Sequence, residues 1–128
     1  TYVNDTTSST PDANIAALKR FAGKGMIRLI LGDDDKGLEF DELAKEIKKK
    51  KVDVVVLSGT AEKKIAKAFK QVGATFVSTK SLSEAVALIL SKVKKGDIVL
   101  LSPGCASFGM FKNEFDRGEQ FRELVKKV

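Results

Sequence analysis

A chain of 128 residues, 43% hydrophobic and 31% charged, suits one globular domain with its own core; it excludes a disordered segment, and no apolar run is long enough to cross a membrane. The net charge of +6 comes without basic runs interleaved with aromatics, which argues against nucleic acid as a partner. There is no His and a single Cys, Cys105, which excludes Ser-His-Asp and Cys-His nucleophiles, a tetrahedral zinc site and an internal disulfide. With no signal peptide at its start, the chain is expected to be cytoplasmic.

In chain order, Tyr2-Val3-Asn4-Asp5 reads as a short entering strand, followed by the hydroxyl-rich run Thr6 to Thr10. Thr10-Pro11 marks a helix start, with a hydroxyl at the N-cap and proline in the first turn. Ile15, Leu18 and Phe21, with Ala16 and Ala17, form an apolar stripe at helical spacing, and Gly23 and Gly25 end it. Met26-Ile27-Arg28-Leu29-Ile30-Leu31 is a buried-strand candidate. A second helix carries Phe40, Leu43, Ala44 and Ile47 on one face, and Lys48 to Lys51 suit its C-terminal dipole.

Val52 to Leu57 is the next strand, rich in β-branched residues. Ser58-Gly59-Thr60 leads into a helix bearing Ile65, Ala68 and Phe69, and Ala74 to Val77 reads as a short strand. Ser81 and Glu84 have capping-box spacing, ahead of a helix with Leu82, Ala85, Val86, Ile89, Leu90 and Val93 inward. Asp97 to Leu101 is a last apolar strand, and a final helix carries Phe121, Leu124 and Val125. Strands alternate with helices and are predominantly apolar, which implies burial on both faces. The expected fold is α/β: a Rossmann-like, doubly wound, mostly parallel sheet with helices on both faces, one domain over residues 1–128.

In such a sheet, ligands bind past the carboxyl ends of the strands. Three loops follow strands on that edge: Asp5 to Thr10, Gly32 to Gly37, and Ser102 to Asn113. They offer Asp5, several hydroxyls, Lys36, Lys112 and backbone N–H groups, a set suited to a small anion. Asp33-Asp34-Asp35 lacks the alternation and distal Glu of a calcium loop and reads as a solvated turn. Gly32 and Gly37 lack the Lys-Ser/Thr pair of a P-loop, and no GxGxxG follows a strand. Cys105 has no His to activate it and reads as packing; Phe111 and Phe115 read as core. From the residues alone, this is an anion-accommodating domain without catalytic machinery of its own.

The same loops carry a family resemblance. Asn4 to Ala13, then Leu31-Gly32-Asp33-Asp34-Asp35-Lys36-Gly37, then Leu101 to Phe108 with Phe111-Lys112-Asn113 and Arg117-Gly118, look like the C-terminal domain of a Mur ligase. The similarity runs over the whole chain. It is greatest to the members that add D-glutamate to UDP-N-acetylmuramoyl-L-alanine during peptidoglycan synthesis. The resemblance implies the third domain of a three-domain, ATP-dependent ligase that activates a carboxylate as an acyl phosphate. It also implies that ATP and Mg are bound mainly by a central domain outside this chain, that no cofactor or metal and no catalytic residue belongs to this domain alone, and that the isolated chain is inactive.

Carried over by position, the resemblance implies that Lys36 holds a D-glutamate carboxylate. Ser9, where the family usually has Thr, bonds the same ligand, and Ser107 contacts its other carboxylate. Glu114 stands at the backbone contact after Asn113, where an aromatic is usual. Asp5 contacts the nucleotide ribose, and Thr7 lies near the phosphates, where the family often has Lys. Gly109 replaces a common Asp, and Asp33 a frequent Gly. The implied partners are D-glutamate, ATP or ADP, and the UDP-linked substrate through the full-length enzyme. The competing reading is a non-catalytic or engineered small-anion-binding or scaffold module on the same fold.

Overall fold

The computed structural model describes residues 2–4, 11–32, 39–101 and 119–123. Its elements alternate strictly: β1 (Tyr2–Asn4), α1 (Pro11–Phe21), β2 (Ile27–Gly32), α2 (Asp41–Lys50), β3 (Asp53–Leu57), α3 (Glu62–Val72), β4 (Val77–Thr79), α4 (Leu82–Leu90) and β5 (Ile98–Leu101). Residues 119–123 are helical. The strands form one sheet in the order β1-β5-β2-β3-β4. Every pairing is parallel. The expected doubly wound sheet is present.

Side chains on successive strand residues point to opposite faces, and both faces of this sheet are apolar. Leu29, Leu31, Val54, Val56 and Leu100 join one core with α1, α2 and α3. Ile30, Val55, Leu57, Val99 and Leu101 join a second core with α4 and Phe121. Connection handedness explains the split. The steps β1 to β2, β2 to β3 and β3 to β4 all run in one direction across the sheet, so their helices lie on one face. The step β4 to β5 runs back, and α4 lies on the other.

The helix stripes follow the sequence pattern except on α1 and at the end of α4, where Leu90 is half-buried and Val93 lies beyond the helix. Leu43, Ala44 and Ile47 of α2 and Ile65, Ala68 and Phe69 of α3 are buried, as their spacing predicts. On α1 the buried residues are Pro11, Asn14, Ala17 and Leu18. Ala16 is exposed, and Ile15 and Phe21 are half-buried. The stripe is therefore rotated toward Asn14, a polar residue fully enclosed in the protein.

The strand read at Ala74–Val77 lies at Val77–Thr79. Gly73 ends α3 in the left-handed conformation (φ 73°), and Ala74 N–H bonds back to the Phe69 carbonyl. Residues 74–76 are taken up by that turn, and the Phe76 ring stands edge-on to Phe69 at 5.3 Å. Pairing with β3 begins only where Val77 meets Val55. Polar Ser78 and Thr79 then belong to the strand, with Thr79 Oγ1 donating to the Val56 carbonyl at 3.4 Å. The predicted cap at Ser81 is formed: Glu84 N–H donates to Ser81 Oγ at 3.1 Å.

Candidate functional site

All five strands run the same way, so all five carboxyl ends share one edge of the sheet. Three of them are neighbours there. Asn4 of β1 pairs with Leu101 of β5, and Leu101 pairs with Ile30 of β2. Residues 5–10, 33–38 and 102–118 continue the chain from β1, β2 and β5. The three motif segments therefore depart from three consecutive strands of the sheet. The strand order also reverses between β2 and β5, because β3 and β4 extend to one side of β2 and β5 returns to the other. Such a switch point is where open α/β sheets bind ligands.

The candidate site residues Asp5, Thr7, Ser9, Lys36, Ser107 and Glu114 lie outside the described residues, as do Asp33 to Asp35, Cys105, Phe111 and Phe115. What the structure describes is the frame around them. Gly32 closes β2 with φ 105°, and a Cβ there would lie 2.8 Å from the Leu57 carbonyl oxygen. Only glycine fits both that backbone and that contact. Helices α1 and α2 begin directly after residues 5–10 and 33–40, so two helix N-termini add positive potential beside the first two segments. Phe40, just before α2, is buried and anchors the return of the second segment to the core.

The other half of the same edge is tied up by its own bonds. Ser58 N–H donates to the Thr79 carbonyl at 2.8 Å, and Glu62 N–H to that of Gly59 at 3.3 Å. Ser78 Oγ donates to the Glu62 carboxylate. The β1-β5-β2 half is the part followed by the segments that carry the hydroxyls Thr6 to Thr10, Ser102 and Ser107 and the cations Lys36 and Lys112. Among the described residues no group of His, Cys, Asp and Glu could hold a metal ion, and no helix is long and apolar enough to cross a membrane.

One charged cluster was missed by the sequence reading and lies at the opposite, amino-terminal edge. Arg28 Nη1 meets Asp53 Oδ2 at 2.7 Å, and Arg28 Nε meets Asp97 Oδ2 at 2.9 Å. Lys94 N–H donates to the same Asp97 oxygen at 2.9 Å. The guanidinium thus bridges the starts of β2, β3 and the turn into β5. The Lys94 amide, then Arg28, hold the Asp97 carboxyl below the usual carboxylate range. The Asp97 hydrogen bond raises the Arg28 pKa further. An arginine inside the apolar run Ile27 to Leu31 was the one available signal.

A doubly wound parallel α/β domain, with three loop segments leaving the strands beside its switch point, is the class of protein the fold defines. The comparisons give the family. The model of the Mur ligase glutamate ligase domain matches residues 1–105, and the chain belongs to this family. It is 45% identical, over 98% of its length, to the UDP-N-acetylmuramoylalanine--D-glutamate ligase of Roseiflexus sp.. It is 44% identical, over 96% of its length, to the protein of that name from Aquifex aeolicus. The chain spans only 27% and 29% of those two relatives. Among solved structures, a crystallised Haemophilus ducreyi domain attributed to a UDP-N-acetylmuramate:L-alanyl-gamma-D-glutamyl-diaminopimelate ligase shares the fold. Its TM-score is 0.55 at 17% identity, covering all of this chain and 88% of that one.

Proposed function

We propose that this chain is the C-terminal, amino-acid-binding domain of an ATP-dependent ligase that joins D-glutamate to UDP-N-acetylmuramoyl-L-alanine. The observation that carries the reading is the adjacency of β1, β5 and β2, which roots the segments bearing Ser9, Ser107 and Lys36 at one switch point. A dicarboxylate needs just such donors. Lys36 supplies a point charge for one carboxylate, with Ser9 beside it, and Ser107 supplies a hydroxyl for the other. Glu114 stands at the backbone contact that follows Asn113. Asp5 and Thr7 face the nucleotide ribose and phosphates.

On this reading ATP and magnesium are held mainly by a central domain beyond this chain. The present domain orients the incoming amino acid and, on closing, excludes water from the acyl group it attacks. Buried donors left without a partner would penalise a shorter amino acid by about 1–3 kcal/mol each, which gives selectivity. The test is Lys36→Ala in the full-length enzyme. Loss of one charge-assisted bond, about 1.5–3 kcal/mol, raises the D-glutamate KM by roughly 10- to 150-fold and changes the ATP KM less. An unaltered D-glutamate KM overturns the role of Lys36.

A further inference from the structure

A cleft of about 480 Å³ opens at the amino-terminal edge of the sheet, on the far side from the three segments. It lies between the start of β2 and β3, the turns that end α2 and α3, and Lys92 after α4. Six strand residues, or about 20 Å, separate it from the carboxyl edge. We propose that this cleft is a second binding site, for a small organic anion with an apolar body.

Two features carry the proposal. The first is the balance of charge. Arg28, Lys48, Lys51 and Lys92 line the cleft, against Asp53 alone among the described lining residues. Arg28 is already engaged by both Asp53 and Asp97, and Lys48 Nζ donates to the Gly73 carbonyl at 3.2 Å. Helix C-termini gather at this edge and attract cations, but here backbone groups serve them. Lys51 N–H bonds the Ile47 and Lys48 carbonyls, and Gly73 N–H bonds those of Lys70 and Phe69. The ammonium groups of Lys51 and Lys92 are left as surplus positive charge, the feature that draws an anion.

The second feature is the apolar wall. Met26, Ile47, Val52 and Ala74 share the lining, and Met26 is 42% exposed, one of two large hydrophobic residues so open among those described. A volume in this range, with apolar walls and a few convergent charges, is that of a small-molecule site. A bare inorganic anion would leave the Met26 side unused. An organic phosphate or sulfonate fills both parts.

The probe is 1-naphthyl phosphate, titrated into the isotope-labelled chain and followed by amide NMR shifts. Saturable shifts are expected at Lys51, Val52, Ala74, Thr75 and Lys92. Lys51→Asn combined with Lys92→Gln removes both surplus charges while keeping a residue that tolerates the left-handed conformation at position 51. It should weaken binding about tenfold or more, or roughly 1.4 kcal/mol. Lys45→Gln with Lys63→Gln, on exposed helix surface outside the cleft, should leave affinity within about twofold. Inorganic phosphate should bind about tenfold more weakly than the naphthyl ester. Equal weakening by both pairs, equal affinity for inorganic phosphate, shifts confined to residues beside the carboxyl edge, or no saturation overturns the proposal. The test stands apart from the D-glutamate reading, since neither pair of substitutions touches the three segments.

Discussion

Replacing Gly32 with Ala tests the frame on which the lysine segment hangs. Two costs add. The first is conformational: φ is 105° at this residue, and holding an L side chain in such a sparsely populated region costs about 1–3 kcal/mol. The second is steric. The new Cβ would sit 2.8 Å from the Leu57 carbonyl oxygen, 3.0 Å from Val56 Cγ1 and 3.2 Å from the Leu57 amide nitrogen. Leu57 is the register partner of Gly32 and ends β3, where Ser58 N–H is bonded to Thr79, so its backbone cannot retreat freely. Overpacking of this kind costs a further 1–3 kcal/mol or so. The sum, about 2–6 kcal/mol, is a large part of a typical domain's stability.

Gly23→Ala is the control. It has φ 77° with nothing within 4 Å of the added methyl, so only the conformational cost applies, about 1–2 kcal/mol. Urea unfolding of both variants measures the difference, with the slope m expected to stay constant and the midpoint to fall. If Gly32→Ala loses no more than Gly23→Ala, the close approach of β2 to Leu57 is not what requires glycine. If the chain serves as the proposed D-glutamate-binding domain, the same substitution in the full-length enzyme raises the D-glutamate KM, because the segment bearing Lys36 starts at the next residue.

Two further outcomes follow from the fold. Lys51 ends α2 in the left-handed conformation at φ 54°, so Lys51→Gly relieves that strain while keeping the cap N–H. It should raise stability by about 0.5–1 kcal/mol, read from the urea midpoint; a loss of stability would show that the lysine side chain holds the turn. Asp97 titrates below the usual carboxylate range when folded, so the stabilisation it supplies is complete above that range and is lost as pH falls through its folded value. Asp97→Asn should therefore be less stable than the parent at pH 7, and the gap should narrow as pH falls below the usual carboxylate range. A gap that stays constant from neutral to acid pH would mean the carboxylate charge is not what holds Arg28 and the Lys94 amide.

Much of this architecture is written in local pattern. The apolar runs of β2, β3 and β5 name themselves because both faces of a parallel sheet are buried, and α2 and α3 bury the residues their periodicity selects. The Ser81 cap needs only residues three apart. Local pattern failed where the deciding contact was distant. Polar Ser78 and Thr79 are strand residues because Val56 and Leu57 pair with them, and Asn14 is enclosed although no apolar stripe includes it. Arg28 looks out of place in its strand until Asp53 and Asp97, 25 and 69 residues away, close around it.

The candidate site divides the same way. The sequence by itself determined which residue types are on offer, since the hydroxyls, Lys36 and the loop glycines can be read one by one, and it carried the family resemblance. Only the tertiary structure decided that the segments after β1, β2 and β5 are neighbours. That follows from β5 inserting between β1 and β2, when it lies nearly 70 residues beyond β2 along the chain. Strand order is chosen by which buried faces and crossovers fit together across the whole sheet, and no window of local sequence contains that choice.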